Sequence, residues 1–169
     1  MSDTRERIFE TVDCDPGIHF NELVRRLDFA PGQVQYHIKR LRRADRIVRE
    51  PCFGQTHYYA HGFQESERRA IALLRRETTQ AIASTLLQSD SIHPRRLAED
   101  LDVARSTIEF HLERLEAAGI LTKERPVDGS VSVTLVNPSE TRRQLSLVAP
   151  PVHAGLADRF ERLVDSFGE

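Results

Sequence analysis

Apolar residues between positions 8 and 41 recur three or four positions apart, which is the spacing of amphipathic helices. Turn-forming residues interrupt the pattern at Asp13–Gly17 and Asp28–Gly32, so it predicts three short helices rather than one. The residues expected to face the core are Ile8, Phe9 and Val12, then Leu23, Val24 and Leu27, then Val34, Ile38 and Leu41. Two strands should follow, over 47–53 and 56–60, joined at Gly54 and Gln55.

The same pattern returns later in the chain without a gap. Ser91–Glu124 repeats Gly17–Glu50 at a shift of 74 positions, so that Ile18 matches Ile92 and Leu41 matches Leu115. We name these segments the first copy and the second copy. A repeated module fixes the architecture of a chain more firmly than any single element. Each module would hold roughly 60–70 residues, a size at which independent stability is marginal, so we expect support from an inter-domain or dimer contact.

Three helices followed by a hairpin is the order of a winged helix-turn-helix domain. We therefore predict a mainly α fold with small β-hairpin wings, containing two tandem winged helix-turn-helix domains plus a C-terminal helix. The predicted domains are an N-terminal winged helix-turn-helix over 1–63, a linker helix with the second winged helix-turn-helix over 64–137, and a C-terminal extension over 138–169.

Four features of the second half are predicted from local pattern alone. The linker helix should cover 64–76, with Thr78 and Thr79 as caps of the next helix. Asp128-Gly129 marks the turn of the second hairpin. Residues 142–148 fit a short strand or a helix equally well. Residues 152–167 form an amphipathic pattern whose apolar stripe needs a partner.

Charge separates the two copies more clearly than it characterises the whole chain. The protein has 24 basic and 26 acidic residues and a net charge of −2, which does not by itself indicate a nucleic-acid-binding protein. However, Gly32–Arg49 contains six bases and one acid, whereas the equivalent Ser106–Lys123 contains two bases and three acids. Such a run of arginines can be merely a solvated face, but within a helix-turn-helix and beside Gln35 and Tyr36 it leads us to expect that the first copy binds DNA.

The third helix of the first copy carries the residue types that such binding needs. The major groove of DNA accepts a helix, and glutamine can bind adenine through two hydrogen bonds. Arginine and lysine further along the helix suit phosphates, which position the protein without reading the sequence. The predicted DNA-binding residues are Gln33, Gln35, Tyr36, Lys39, Arg40, Arg42, Arg43 and Arg49.

The second copy departs from this chemistry. Three glutamates on its third helix would face phosphates, although glutamate can accept a hydrogen bond from cytosine, so DNA contact stays open. The possible secondary DNA contacts are Arg105, Ser106, Thr107 and Arg114. We expect this copy mainly to serve dimerisation, contact with a protein partner or control of the first copy. The residues predicted for a dimer or partner interface are Phe110, Val152, Leu156, Phe160, Leu163, Val164 and Phe167.

Other chemistry finds little support in the sequence. His19 and His93 stand where helix caps are expected, and His37 and His111 should be packed and hydrogen-bonded rather than metal ligands. His57 and His61 share one face of a strand, but no cysteine or carboxylate completes a metal site. Cys14 and Cys52 are expected to be free thiols. We predict no metal, no cofactor and no enzymatic activity.

Neither a membrane span nor a signal peptide is visible in the sequence. No apolar run approaches the roughly 18 residues that a span requires. The charged start MSDTRERIFE lacks the apolar core of a secretion signal. We therefore expect a cytoplasmic protein.

Two runs of the first copy resemble a known family. IHFNEL, from Ile18, and APGQVQYHIKRL, from Ala30, are similar to archaeal transcription regulators of the ArsR/MarR type, especially the tandem winged-helix proteins of haloarchaea. ARSTIEFHLERLEAAGIL, from Ala104, resembles the same superfamily. The resemblance implies a homodimer that binds double-stranded promoter DNA, with a third helix in the major groove and the hairpin near the backbone. The alternative is an adaptor that contacts the transcription machinery without binding DNA.

Overall fold

The structure, a computed structural model, describes residues 3–148. These residues divide into two compact units, one ending at Ala72 and the other beginning at Leu73. The predicted C-terminal helix, with Val152, Leu156, Phe160, Leu163, Val164 and Phe167, lies outside the described residues. No helix within residues 3–148 is both long enough and apolar enough to cross a bilayer.

The first unit contains three helices and a small antiparallel sheet, as the sequence predicts, followed by most of the linker helix. The elements are α1 (Asp3–Cys14), β1 (Ile18–His19), α2 (Phe20–Leu27), α3 (Pro31–Arg43), β2 (Ile47–Cys52) and β3 (Gln55–Ala60). The strands lie in the order β1-β3-β2, so the predicted hairpin gains a third strand. Ile18 pairs with Tyr58 and His19 with His57 in β3. A two-residue strand is too short to produce an alternating pattern in the sequence.

The core of the first unit forms where the three helices meet. Val34, Ile38 and Leu41 lie on the inner side of α3 and are at most 5% exposed. They pack in one cluster with Ile8 of α1 and Leu23 of α2. The helical spacing of the apolar residues therefore identified the buried face of each helix.

The turn between α2 and α3 depends on a left-handed backbone at its first residue. Asp28 ends α2 with φ of 54°, and its amide donates to the Val24 carbonyl oxygen at 3.1 Å. Asp102, 74 positions later, has φ of 50° at the same place in the second unit. Aspartate is one of the few non-glycine residues that adopts this conformation readily. Pro31 then begins α3 with its φ already near the helical value.

The second unit repeats this arrangement. After α4 (Glu65–Leu74), which crosses the division, the elements are α5 (Glu77–Leu86), α6 (Pro94–Leu101), α7 (Arg105–Ala117), β4 (Leu121–Glu124), β5 (Ser132–Leu135) and α8 (Pro138–Leu147). β4 and β5 form a two-stranded sheet. An isolated bridge joins Ile92 to Val133, at the position where β1 meets β3 in the first unit.

The sequence was wrong about the start of α5 and left α8 open. The linker helix ends at Leu74, and α5 starts at Glu77, so Thr78 and Thr79 lie inside it. Thr79 does not cap α5; its hydroxyl donates to the carbonyl oxygens of Leu73 and Arg76, which terminate the preceding turn. Residues 142–147 belong to α8, which begins at Pro138 after its N-cap Asn137. The Asn137 side chain accepts a hydrogen bond from the Glu140 amide at 3.0 Å.

Removing one buried side chain from either copy should test how far the two cores are equivalent. Leu41 and Leu115 occupy matching positions and are 0% exposed. Leu41→Ala and Leu115→Ala should each lower the free energy of unfolding by about 2–5 kcal/mol, because each leaves a cavity. Urea unfolding followed by circular dichroism measures the change. The exposed control Glu10→Ala should stay within about 0.5 kcal/mol of wild type. A comparably small loss for either leucine variant would contradict this packing.

Candidate nucleic-acid interface

α3 separates its apolar and polar residues onto opposite faces. Four of its side chains are buried, and the rest, including every predicted DNA-binding residue of this helix, are exposed. Tyr36 is the clearest case, since 54% of this large aromatic residue is exposed. Arg49, on β2, is also exposed. The exposed residues predicted for DNA are thus Gln33, Gln35, Tyr36, Lys39, Arg40, Arg42, Arg43 and Arg49.

Tyr36 and Arg40 form a pair on the outer face of α3. The Arg40 Nη1 atom donates to the Tyr36 hydroxyl oxygen at 2.9 Å, and its guanidinium lies 5.8 Å from the centre of the ring. The hydrogen bond from Arg40 lowers the pKa of Tyr36 below its ordinary value. Because the pair is one helical turn apart, it holds the guanidinium along the helix and reduces its freedom before any ligand arrives.

A groove lies between α3 and the wing formed by β2 and β3, and we name it the helix–wing groove. Its volume is about 430 Å³. Its residues are Phe20, Pro31, Gly32, Gln35, Ile38, Lys39, Arg42, Arg49 and Tyr58. The three cations Lys39, Arg42 and Arg49 also line a neighbouring depression, together with Arg43. The structure therefore gathers positive charge from helix and wing, which the sequence placed on separate elements.

Arg46 contributes to the basic window of the first copy but has a structural role. Its guanidinium donates two hydrogen bonds to the carboxylate of Glu6 on α1, at 2.9 and 3.0 Å. It also lies 3.7 Å from the centre of the Phe9 ring. The hydrogen bond from Arg46 lowers the pKa of Glu6. The count of six bases and one acid in Gly32–Arg49 therefore overstates the positive charge that is available to a ligand.

The two histidines at equivalent positions of α3 and α7 are packed but differ from prediction in their hydrogen bonding. Within residues 3–148, the Nδ1 atoms of His37 and His111 are buried without a hydrogen-bond partner. Each ring instead meets the preceding aromatic edge-on, Tyr36 at 5.1 Å and Phe110 at 5.2 Å. Burial is the main cause that lowers the pKa of both histidines.

Three further histidines serve local structure. His19 and His93 cap α2 and α6, as predicted, by accepting hydrogen bonds from the amides of Glu22 and Arg95. The Nδ1 atom of His57 lies 2.7 Å from the Gly17 carbonyl oxygen and must donate to it. Among the described residues, no group of three or more histidines, cysteines or carboxylates is arranged to hold a metal ion. Cys14 and Cys52 are free thiols, as expected.

On the outer face of α7, the positions that match those of α3 make different contacts. Lys123 on β4 donates to Glu109 at 3.1 Å, and the Lys123 amide donates to the Glu116 carboxylate at 3.2 Å. The guanidinium of Arg114 lies 4.0 Å from the centre of the Phe110 ring, which is 48% exposed. Of the other predicted secondary contacts, Arg105 and Ser106 are exposed and Thr107 is half-buried.

Matching residues at a shift of 74 shows how the two surfaces diverged. Gln35 and Arg49, which line the helix–wing groove, correspond to Glu109 and Lys123, which bind each other across α7 and β4. Lys39 corresponds to Glu113. The cationic, open groove of the first unit is thus replaced in the second by an internal ion pair.

The buried imidazole of His37 should make stability depend on pH. Its pKa is lowered on folding, so the unfolded chain binds the proton more readily once the pH falls below about 6.5. The free energy of unfolding should therefore have its full value above about pH 6.5 and should decrease as the pH is lowered further. Between about pH 7 and pH 5, urea unfolding of wild type should lose more stability than that of His37→Gln. An equal loss in His37→Gln would refute this origin.

Comparison with known proteins supports the reading of both units. Residues 2–71 match a family described as an N-terminal HTH domain, and residues 75–122 match one described as winged helix-turn-helix DNA-binding. An uncharacterized HTH-type transcriptional regulator of Methanocaldococcus jannaschii is 27% identical over 139 residues. That match covers 82% of this chain and 34% of the relative, so the chain spans about a third of that protein's length.

The solved structures that are similar to this chain have low sequence identity. A transcriptional regulator homologue from Pyrococcus horikoshii is 16% identical, with a TM-score of 0.41, and the match covers 63% of this chain and all of that one. Reduced AbfR bound to DNA is 18% identical, with a TM-score of 0.40, over 59% of this chain and 78% of that one.

The first family match covers nearly all of the first unit, and the second covers α5, α6 and α7 of the second unit. The first match includes α1 to β3, and the second includes α6 and α7. The chain therefore contains two helix-turn-helix domains in tandem, and the second matches a winged helix-turn-helix family model.

Proposed function

We propose that this protein is a DNA-binding transcription regulator that binds promoter DNA as a homodimer, with α3 in the major groove. The observation that carries the proposal is the exposed, cationic outer face of α3 beside a groove lined by Lys39, Arg42 and Arg49. Both family descriptions name a helix-turn-helix domain, and one names DNA binding. The M. jannaschii relative is described as an HTH-type transcriptional regulator.

The residues of α3 divide into two roles. Gln33 and Gln35 stand in the first turns, where a helix entering the major groove reaches base edges. Lys39, Arg42 and Arg43 stand further along, where they suit phosphates. The Tyr36–Arg40 pair presents a guanidinium that is already oriented for a phosphate or a guanine.

A homodimer would present two copies of α3 to the two half-sites of a symmetric DNA site. Helix-turn-helix dimers bind two half-sites about 34 Å apart, which is one turn of DNA. The exposed Phe110, with Arg114 stacked on it, is a candidate for a protein contact in the second unit. The C-terminal residues from Val152 to Phe167 stay a prediction for the dimer contact.

A second candidate function is a protein-interaction adaptor. It is favoured by the second unit, where an exposed Phe110 is flanked by Glu109 and Glu113 on a face that would otherwise meet DNA. In this alternative neither unit binds a duplex, and the winged-helix fold contacts the transcription machinery.

Charge removal from α3 separates the two candidates. Lys39→Ala combined with Arg43→Ala should weaken duplex binding and reduce the slope of log K against log salt by roughly 1.8, because each phosphate contact contributes about 0.9. A salt-titrated gel shift with sheared genomic DNA provides the measurement. The matched control is Arg105→Ala with Arg114→Ala, which removes the same charge from α7 and should change the slope less. Equal slopes for wild type and the α3 variant would contradict DNA binding through α3, and absence of duplex binding by wild type would favour the adaptor.

The oligomeric state can be measured independently of DNA. Light scattering after size exclusion should give a mass of twice 19.3 kDa for the full chain at micromolar concentration. A version that ends at Val148 removes the predicted interface helix and should shift the equilibrium toward the monomer. A monomeric full chain, free and on DNA, would refute the homodimer. An unchanged dimer in the shortened chain would place the contact in the described residues.

A further inference from the structure

Tyr58 is a buried residue of the helix–wing groove that the sequence did not single out. It lies on β3, pairs with Arg49 across the sheet, and is 6% exposed. Its ring belongs to the core cluster of the first unit. Its hydroxyl oxygen has no hydrogen-bond partner among residues 3–148, and this atom is not completely buried. Since Tyr58 lines the groove, we infer that a ligand in the groove can reach its hydroxyl.

The chemistry of this groove suits an anion with a less polar body attached. None of its nine lining residues is acidic, and three are cations. The rings of Phe20 and Tyr58, with Ile38, supply apolar surface beside these charges. Burial raises the pKa of the Tyr58 hydroxyl, against the opposing effect of Arg49 and Arg42, so the phenol stays protonated and can donate. A donor among cations favours an acceptor with negative charge, because the cations attract it as well.

We propose that the helix–wing groove seats one backbone phosphodiester of a bound DNA duplex, with the Tyr58 hydroxyl donating to a phosphate oxygen among Lys39, Arg42 and Arg49. The proposal rests on the proposed function and adds a specific ligand group and a residue to it. The apolar surface would then contact the adjoining deoxyribose. About 430 Å³ is enough volume for a sugar-phosphate unit.

The position of the groove favours a duplex over a free anion. Gln35 lines the groove and also stands in the first turns of α3, where base edges are reached. A phosphate in the groove would therefore fix the register of α3 relative to the bases, which is the role of backbone contacts.

The second unit supplies an internal comparison. Arg49 pairs with Tyr58 in the first sheet, and its counterpart Lys123 pairs with Val133 in the second. Ile18 and Ile92 confirm this register, because they meet the same two residues. Val133 has no hydroxyl and is fully buried.

The cations of the groove are lost in the same comparison. Lys39 and Arg42 correspond to Glu113 and Glu116, and Lys123 is held by Glu109 at 3.1 Å. Each change removes attraction for phosphate, so the proposed phosphate site is a feature of the first unit and not of the second. The combination of an unpaired phenol with three cations is thus not a general consequence of the winged-helix scaffold.

Tyr58→Phe removes the hydroxyl and keeps the ring that the core needs. A duplex selected from a random pool by the wild-type protein should bind this variant about tenfold more weakly, since a hydrogen bond to a charged acceptor is lost. The salt slope should not change, because a neutral donor releases no counterion. Arg49→Gln should lower both the affinity and the slope, the latter by about 0.9.

A neighbouring tyrosine provides the matched control. Tyr59 is also buried, but its hydroxyl donates to the Arg68 carbonyl oxygen at 2.7 Å and it does not line the groove. Tyr59→Phe should bind the duplex as wild type does, provided that circular dichroism shows it folded. Replacing single phosphates of the duplex by neutral methylphosphonates should reveal one position at which Tyr58→Phe loses less affinity than wild type does, because the variant has already lost the hydroxyl contact there.

Each outcome decides between the proposals. Failure of wild type to bind any duplex overturns the proposed function and the seat together. Wild-type binding with an unchanged affinity in Tyr58→Phe overturns the seat alone. A reduced salt slope in Tyr58→Phe means that the hydroxyl only arranges the cations, which also overturns it. Weaker binding of inorganic phosphate by Tyr58→Phe, with duplex binding intact, assigns the groove to a free anion instead.

Discussion

The packing of α3 against the core is the interaction on which the rest of the first unit depends. Val34, Ile38 and Leu41 are buried with residues of α1 and α2, and this fixes the rotation of the helix about its own axis. A rotation that exposed these three side chains would forfeit several kcal/mol of apolar burial, at about 1.5–3 kcal/mol for each. The outward direction of Gln35 or Lys39 is therefore set by side chains on the opposite face. The Arg46–Glu6 pair and the left-handed turn at Asp28 support the same placement from either end of α3.

One scaffold supports two surface chemistries because the core and the outer face use different positions. Leu41 and Leu115 are equally buried, whereas Lys39 and Glu113 carry opposite charges on the exposed side. Substitutions on that side cost little stability, so the second copy could lose its cations without losing its fold. The Glu109–Lys123 contact is an example, since the residues that correspond to Gln35 and Arg49 of the groove form an ion pair with each other in the second unit.

Much of the fold could be predicted from local pattern, and part of the site could be too. Helical spacing gave the buried faces of α1, α2 and α3, and alternation gave the hairpin. Histidine caps were predicted from their position before α2 and α6. β1 and the true role of Thr79 were missed, because a two-residue strand and a back-directed hydroxyl bond leave no periodic signal. The unpaired Nδ1 atoms of His37 and His111 were missed for a related reason, since burial was predictable and hydrogen-bond partners were not.

By itself, the sequence determined that there are two copies of one module, where their helices lie, and that only the first copy concentrates bases on its third helix. These properties follow from the spacing and the charges of residues that are close to one another in the sequence. The tertiary structure decided which of those bases are free. It placed Arg46 on Glu6, 40 positions away, and brought Arg49 and Tyr58 of the wing beside Lys39 of α3. Such contacts depend on how elements pack and on the register of β2 against β3, and neither is encoded in a local pattern.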